Sequence, residues 1–199
     1  MSNTPSYIET EVKLRYPADA ADARRRIEQR GYPLLAARTL ESDQLFDQAG
    51  GGFKRADTVL RLRRTSSNET SAVATVTYKG PATRERYKSR EEIEFDVSDP
   101  EAFVQLLERL GYLPGFRYEK LRTKFAAPGE PGIITVDETP IGVFLELEGA
   151  PHWIDQTAAR LGFTHGQYLT ASYAALYREY RQLHPDAPAN MTFEGVPKY

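Results

Sequence analysis

The sequence predicts an α+β protein in which an eight-stranded antiparallel sheet closes into a β-barrel, with helices packed outside. About eight segments alternate apolar with polar or charged residues, and short turns join most of them in neighbouring pairs. Because successive strand side chains point to opposite faces, each strand would have one apolar face for helices and one charged face. Eight is a number of strands at which a sheet can close.

The first predicted strand shows this alternation most clearly. Apolar Ile8, Val12 and Leu14 take one face, and the other face holds Glu9, Glu11, Lys13 and Arg15. A solvated outer face explains one such strand, but not the same pattern repeated along the chain. A helix at 17–30, ending before Gly31, and a strand at 34–46 follow, and the three glycines at 50–52 predict a flexible turn.

The middle of the chain repeats the alternation. The strand at 58–65 places Arg61 and Arg63 on one face, and the strand at 72–79 ends on Lys79 after a polar loop at 66–71. The strand at 87–97 carries charges on one parity, at Lys88, Arg90, Glu92, Glu94 and Asp96. Asp99 then predicts the N-cap of a helix that begins at Pro100 and ends near residue 110.

Three further strands and two helices complete the predicted domain. The strand at 116–125 sets Tyr118, Lys120, Arg122 and Lys124 on one face, 133–138 carries Asp137, and 143–148 carries Glu146 and Glu148. Helical spacing returns at 154–161 and 171–183. We expect one domain over residues 1–184, followed by a loosely packed tail at 185–199, where three prolines interrupt any periodicity.

Composition restricts the function. The 199 residues include no cysteine, which excludes disulfides and thiolate metal sites, and the net charge is −2. We therefore expect no nucleic-acid partner. No apolar run approaches the roughly 18 residues of a membrane helix, and no signal-peptide pattern is present, so we expect a cytoplasmic protein with no membrane partner. The sequence leaves the oligomeric state open.

The charged faces have chemical content if they line the barrel. Five acids supply the oxygen ligands that Mg2+ or Mn2+ prefers, namely Glu9, Glu11, Asp137, Glu146 and Glu148. The bases on the same faces would repel one another in a closed channel unless a polyanion were bound. A triphosphate fits, because arginine grips phosphate oxygens with two parallel hydrogen bonds.

The residues also carry a family resemblance. The segment Glu9-Thr10-Glu11-Val12-Lys13 is similar to the Glu-x-Glu-x-Lys signature of the CYTH superfamily of triphosphate tunnel metalloenzymes, which includes class IV adenylyl cyclases and thiamine triphosphatases. In order, Leu60-Arg61-Leu62-Arg63, Tyr78-Lys79-Gly80, Arg90-Glu91-Glu92-Ile93-Glu94, Lys120-Leu121-Arg122 and 142–148 extend the likeness over about residues 7–180.

The resemblance implies roles by position. The five acids would bind one or two divalent ions, and the triphosphate would be held by Arg61, Arg63, Lys79, Lys120 and Arg122, with Arg90 as a further candidate. Lys13 resembles the signature lysine that orients or activates the attacking water, and a role as a base would need a lowered pKa. For Glu92 and Glu94, pairing with neighbouring bases is favoured over metal binding.

Three functions remain open at this stage. Hydrolysis of tripolyphosphate or an organic triphosphate by a metal-dependent triphosphatase is favoured, because it needs only the tunnel and water. Conversion of ATP to cyclic AMP and pyrophosphate by a class IV adenylate cyclase needs the same tunnel. A binding module for polyphosphate or nucleotides, without turnover, is the third. Helix packing is expected for Tyr173, Tyr177 and Tyr180, core packing for Trp153, and surface or packing roles for the three histidines.

Overall fold

The computed structural model describes residues 6–66 and 73–194. The strands are β1 (Tyr7–Tyr16), β2 (Leu34–Gln48), β3 (Val59–Ser66), β4 (Val73–Lys79), β5 (Thr83–Arg84), β6 (Lys88–Val97), β7 (Tyr112–Phe125), β8 (Ile133–Thr139) and β9 (Gly142–Glu148). The helices are α1 (Ala20–Gln29), α2 (Gly52–Arg55), α3 (Pro100–Arg109), α4 (Pro151–Arg160) and α5 (Tyr173–Leu183), with a 3-10 turn at His165–Gln167.

Eight of the strands close into a barrel. The order β1-β9-β8-β7-β2-β3-β4-β6 returns to its start because β6 also pairs with β1, and every pairing is antiparallel. The two-residue β5 pairs with β6 outside the barrel. The predicted fold class is therefore confirmed, and the described ranges place five helices around the barrel.

The apolar faces of the strands pack against the helices, as the alternation predicts. Val12 of β1 and Leu145 of β9 are fully buried with Ile27 of α1 and Ile154 of α4. Burying such a side chain stabilises the fold by about 1.5–3 kcal/mol. Around the barrel, α3 covers the outer faces of β3 and β4 through Leu107. With the apolar faces covered in this way, the charged faces point inward.

Several boundaries differ from the sequence prediction. Strand β7 begins at Tyr112 rather than 116, helix α1 begins at Ala20 rather than 17, and helix α4 begins at Pro151 rather than 154. The predicted glycine turn is present, since Gly51 has φ +68°, but it leads directly into α2, which the sequence reading missed. The Asp47 carboxylate accepts the N–H groups of Phe53 and Lys54 at 2.9 and 3.0 Å and so fixes the start of α2. Most of the loop predicted at 66–71 lies outside the described residues.

The prediction of a loosely packed tail is wrong for residues 185–194. Met191 is fully buried, its N–H donates to the carbonyl of Arg117 at 3.0 Å, and the N–H of Glu119 donates to the Met191 carbonyl at 2.8 Å. Tyr177 donates to the carbonyl of Pro188 at 2.8 Å. This segment therefore lies along β7, and 195–199 fall outside the described residues. None of the helices in the described part of the chain has the length and apolar character to span a membrane.

Candidate active site

The barrel interior collects ionisable side chains from all eight strands. Strand register and shared parity place them on the inner face: Glu9, Glu11, Lys13, Glu41, Asp43, Arg61, Arg63, Lys79, Lys88, Arg90, Glu92, Lys120, Arg122, Asp137, Glu146 and Glu148. Every site residue predicted from the sequence is in this set. Four members were not predicted as site residues: Glu41, Asp43, Lys88 and Glu92, the last of which was expected only to pair with neighbouring bases.

Lys13 lies between two carboxylates. Its Nζ is 3.0 Å from Glu11 Oε1 and 3.2 Å from Glu146 Oε1, and Lys88 Nζ approaches the same Glu11 oxygen at 2.5 Å. Burial alone would lower the pKa of Lys13, but Glu11 and Glu146 outweigh burial and raise it above its ordinary value. Lys13 is therefore a buried cation in this arrangement, suited to holding an anionic oxygen and unsuited to removing a proton from water.

Glu9 and Glu92 meet at Lys79. Lys79 Nζ contacts Glu9 Oε2 at 3.1 Å and also pairs with Glu92. Burial, a hydrogen bond with Glu9 and the Glu9 charge raise the pKa of Glu92 to about 8. The pKa of Glu9 is lowered. Burial alone would raise it, but the hydrogen bond from Glu92 and the charge of Lys79 outweigh burial. The pKa values of the two neighbouring carboxyl groups are thus shifted in opposite directions, that of Glu92 upwards and that of Glu9 downwards.

Glu148 has no ion pair or hydrogen bond within the described residues. It lies next to Glu11 across the β1–β9 ladder. Burial raises its pKa to about 7, with the charges of Glu9 and Glu146 adding to the effect. The site therefore contains a carboxylate whose negative charge is not compensated by the protein.

The opposite side of the barrel is rich in cations. Arg122 Nε donates to Asp137 Oδ1 at 2.7 Å, Lys120 Nζ lies 3.0 Å from Asp137 Oδ2, and Arg122 also pairs with Glu146. Asp137, predicted as a metal ligand, is completely buried and already forms ion pairs with Lys120 and Arg122. Its position holds Lys120 and Arg122 in place in this structure.

Two acids of β2, Glu41 and Asp43, lie next to the two arginines of β3, Arg61 and Arg63. Asp43 is completely buried and accepts from Arg63 at 2.8 and 3.1 Å, with Arg61 Nε 3.5 Å away. Glu41 lies 3.0 Å from Arg63 and 3.4 Å from Lys120. Two buried atoms here, Glu41 Oε2 and Arg61 Nε, have no hydrogen-bond partner. An unsatisfied buried donor on an arginine is an available contact for an anion.

Arg90 lies apart from the other bases. Its Nε donates to the Gly80 carbonyl at 2.8 Å and its Nη2 to the Asp57 carbonyl at 2.6 Å. In this structure it fastens the segment after β4. Glu94 accepts from Thr77 at 2.8 Å and lies 3.5 Å from Arg61, which agrees with the structural pairing favoured for it.

One end of the barrel is closed by aromatic rings. Tyr118 and Phe144 share the inward parity of Lys120 and Glu146, and they pack against Tyr173 of α5 together with Met191. The Tyr173 hydroxyl donates to Asp137 Oδ2 at 2.7 Å, and its ring lies 5.3 Å from Lys13 Nζ. The expectation of simple helix packing was therefore incomplete for Tyr173. We call Tyr118, Phe144, Tyr173 and Met191 the floor.

The donor chemistry of the acid side fits a hard divalent cation. Glu9, Glu11, Glu146 and Glu148 supply oxygen atoms only, and burial, together with the charges of Glu9 and Glu146, raises the pKa of Glu148. Within the described ranges, however, no three such side chains converge into a preformed metal cage. Metal binding would require these carboxylates to turn away from Lys13, Lys79 and Lys88.

Residues outside the barrel behave mostly as expected. Trp153 is 4% exposed and donates to Glu130 at 2.7 Å. His165 lies 3.2 Å from Asp155 at the surface. Neither residue contributes to the interior set.

Taken together, the closed antiparallel barrel and the paired acids and bases on its inner face define a protein with a charged barrel interior. The CYTH domain model matches residues 7–161. The chain therefore belongs to the CYTH domain family, as the sequence motifs predicted.

Comparisons with individual proteins agree with this family. A Methanocaldococcus jannaschii protein, provisionally named as an adenylate cyclase, is 29% identical over 141 residues, which are 71% of this chain and 76% of the relative. The solved PH1819 protein of Pyrococcus horikoshii has a TM-score of 0.71 at 25% identity and covers 87% of this chain and 99% of its own.

A third relative has been described in functional terms. The Hippeastrum protein HpAC1, named provisionally as an adenylyl cyclase and described as having a dominant triphosphatase activity, has a TM-score of 0.62 at 18% identity. It covers 86% of this chain and 96% of its own. At this identity the likeness concerns the fold.

Proposed function

We propose that this protein is a divalent-metal-dependent triphosphatase that hydrolyses tripolyphosphate or an organic triphosphate inside the barrel. The observation that carries the proposal is that one barrel interior holds two charged groups of residues, which meet where Arg122 pairs with Glu146: the acid wall (Glu9, Glu11, Glu146 and Glu148, on β1 and β9) and the base wall (Arg61, Arg63, Lys120 and Arg122, on β3 and β7). A triphosphate between them would meet cations on one side and a metal-binding surface on the other.

Each wall has a distinct role in this mechanism. The guanidinium groups of Arg61, Arg63 and Arg122 would bind phosphate oxygens and stabilise the charge that develops on the transferred phosphoryl group. Lys13 would hold a phosphate or water oxygen as a cation, in keeping with its raised pKa. Mg2+ or Mn2+ bound by the acid wall would neutralise phosphate oxygens and polarise phosphorus.

Metal binding and substrate binding are coupled through the same lysines. Glu11 pairs with Lys13 and Lys88, and Glu9 pairs with Lys79, so a cation held by these two carboxylates would take the place of the lysines. The ammonium groups would then be available to phosphate oxygens. We therefore expect metal and triphosphate to bind with positive cooperativity.

The experiment is incubation of the purified protein with Mg2+ or Mn2+ and, separately, tripolyphosphate, ATP and thiamine triphosphate, with all products resolved by chromatography. Orthophosphate release is the expected result, and it must disappear with EDTA. Release of cyclic AMP with equimolar pyrophosphate would establish the cyclase instead. Metal-dependent binding with no product from any of the three substrates would leave a binding module.

The cyclase is the second candidate because of the name carried by the archaeal relative. Hydrolysis is preferred because it needs only water and the two walls, whereas cyclisation needs an additional means of directing a ribose hydroxyl at the first phosphorus atom. The described triphosphatase activity of the Hippeastrum protein is consistent with this order of preference.

A further inference from the structure

Strand β7 carries one cation beyond the base wall. Lys124 follows Lys120 and Arg122 on the inner face of this strand, and the ladder with β8 is regular from Leu121 to Phe125. Because a strand rises about 3.4 Å per residue, Lys124 lies about 7 Å beyond Arg122, on the side away from the floor. Lys124 is partly exposed, whereas Lys120 and Arg122 are buried.

The two base-wall cations of β7 each lie opposite an acid. Lys120 faces Glu41 across the ladder with β2, and Arg122 faces Asp137 across the ladder with β8. The ion pairs follow this register, with Lys120 Nζ 3.4 Å from Glu41 and Arg122 Nη2 2.6 Å from Asp137. Both cations are thus compensated by the protein itself.

Lys124 has no acid opposite it. It faces Ala36 on β2 and Thr135 on β8. Within the described ranges its ammonium group forms no ion pair and no hydrogen bond. The small side chain of Ala36 leaves space beside this group. A positive charge with three N–H donors is therefore available to a ligand.

Thr135 supplies a second unsatisfied donor next to Lys124. Its side chain is 2% exposed, has the inward parity of Asp137, and its Oγ1 has no hydrogen-bond partner among the described residues. A buried hydroxyl without a partner costs free energy that a ligand can recover. Residues directly opposite each other on antiparallel strands have Cβ atoms about 4.5–5.5 Å apart, so Lys124 and Thr135 can contact one small group. Two donors, one of them charged, match an anionic oxygen.

The position of Lys124 indicates which anion it meets. It continues the line of bases that the proposed function assigns to a triphosphate. At the other end of this line, Lys120 Nζ lies 5.2 Å from the ring centre of Tyr173 in the floor. A phosphate chain that starts at the floor and runs along β7 reaches Lys124 last, so the group at Lys124 is a further phosphate.

We propose that Lys124 and Thr135 form a subsite for the fourth phosphate group of a linear polyphosphate. The inference rests on the proposed function and extends the substrate class from three phosphates to four or more. It assigns to both residues a role in chain-length specificity and no role in the chemical step. Inorganic tetrapolyphosphate and a nucleoside tetraphosphate share this fourth phosphate.

The test compares tetrapolyphosphate with tripolyphosphate by titration calorimetry in EDTA. Lys124→Met removes the charge, and Lys124→Arg keeps it. Lys54→Met is the matched control, because Lys54 is exposed on α2 and its ammonium group also has no partner in the described part of the chain. Lys124→Met is expected to lower the affinity for tetrapolyphosphate about 10-fold, the size of one charge-assisted hydrogen bond, and that for tripolyphosphate less than about 2-fold. Lys124→Arg and Lys54→Met are expected to match the natural protein for both ligands.

Thr135→Val separates direct contact from long-range attraction. A longer chain has more negative charge, so the loss of any nearby cation weakens its binding slightly more. Thr135→Val changes no charge, yet it is expected to lower the affinity for tetrapolyphosphate about 3-fold and to leave that for tripolyphosphate unchanged. Because the hydroxyl is unsatisfied, thermal unfolding should show that this variant is at least as stable as the natural protein.

Adenosine 5′-tetraphosphate and ATP form a second matched pair of ligands. Selective losses in both pairs would assign the subsite to a fourth phosphate of either kind, and a loss for tetrapolyphosphate alone would assign it to inorganic chains. Equal losses for tripolyphosphate and tetrapolyphosphate in Lys124→Met, or no loss in that variant, would overturn the subsite. An effect confined to Lys124→Met and absent from Thr135→Val would also overturn it.

The subsite and the proposed function can fail separately. If the natural protein releases orthophosphate from tripolyphosphate but no variant distinguishes the two chain lengths, only the subsite is wrong. If the variants lose tetrapolyphosphate selectively while no substrate releases orthophosphate, only the triphosphatase is wrong.

Discussion

The acid wall and the base wall compensate buried charge to different degrees. On the base wall every arginine or lysine has a carboxylate within 3.5 Å, supplied by Glu41, Asp43 or Asp137. On the acid wall Glu148 has no partner in the described structure, and burial beside Glu9 and Glu146 raises its pKa to about 7. The cations of the base wall are therefore all paired with carboxylates before a ligand arrives, whereas Glu148 of the acid wall still lacks a cationic partner in the described structure.

This difference predicts the largest effect for the acid wall. Glu148→Gln keeps the side-chain size but removes the uncompensated charge, so metal-dependent turnover should fall at least about 100-fold. Glu11→Ala should abolish turnover similarly, with the fold retained as judged by circular dichroism. Glu108→Gln, on the exposed side of α3, is the control and should keep full activity. Normal kcat in both acid-wall variants would remove the metal from this wall.

The second prediction concerns the carboxylates within the base wall. Asp43→Asn leaves Arg61 and Arg63 buried with less compensation, so the free energy of unfolding should fall by about 3–5 kcal/mol. Tripolyphosphate should then raise the melting temperature more in this variant than in the natural protein, since the anion supplies the missing charge. Asp96→Asn, an exposed aspartate on β6, is the control for thermal scans with and without tripolyphosphate. A ligand-induced shift no larger in Asp43→Asn than in the natural protein would contradict this account.

The third prediction separates binding by the base wall from turnover. Arg61→Ala removes the guanidinium with the unpartnered Nε, and a charge-assisted hydrogen bond lost there should raise KM about 10- to 100-fold. Arg64→Ala is the matched control, because Arg64 lies on the opposite face of β3 and pairs with exposed Glu101. Steady-state kinetics with both variants should show the effect in Arg61→Ala alone. If both variants keep the natural KM, Arg61 is not a substrate ligand.

The smallest expected effect is a pH dependence of the metal-free protein. Because the pKa of Glu148 is about 7 in the fold and near 4.5 in the unfolded chain, the folded state binds the proton more tightly. The stability this gives is present below about pH 4.5 and is lost as pH rises towards 7. Urea unfolding in EDTA at pH 5 and pH 8 should therefore show a smaller loss of stability in Glu148→Gln than in the natural protein. Identical losses of stability in the two proteins would show that the pKa of Glu148 is not raised by folding.

The fold and most of the interior set were predictable because strand alternation is a local signal. Ile8, Val12 and Leu14 against Glu9, Glu11 and Lys13 show the two faces of β1 without any knowledge of its neighbours. Glu41 and Asp43 were missed as site residues for a local reason as well: the residues that alternate with them, Ser42 and Gln44, are also polar. This part of β2 therefore lacks the contrast between an apolar and a charged face that reveals an inner face.

Other features depend on contacts that no local pattern records. Tyr173 reaches the barrel interior from helix α5. In the sequence, tyrosines at helical spacing indicate only ordinary helix packing. Met191 follows two prolines and has no periodic neighbours, yet it is held by backbone hydrogen bonds to β7. Arg90 satisfies the strand pattern, but its guanidinium turns to the carbonyls of Asp57 and Gly80. Each of these placements is decided by tertiary structure.

The floor has a consequence for the order in which products leave. A barrel closed by Tyr118, Phe144 and Tyr173 has a single route for entry and exit. In the proposed reaction, the phosphate group that enters first would be cleaved next to the floor, and the larger product would then stand between it and solvent. Release would be sequential, with the diphosphate product leaving before orthophosphate, so added orthophosphate should compete with substrate for the emptied barrel.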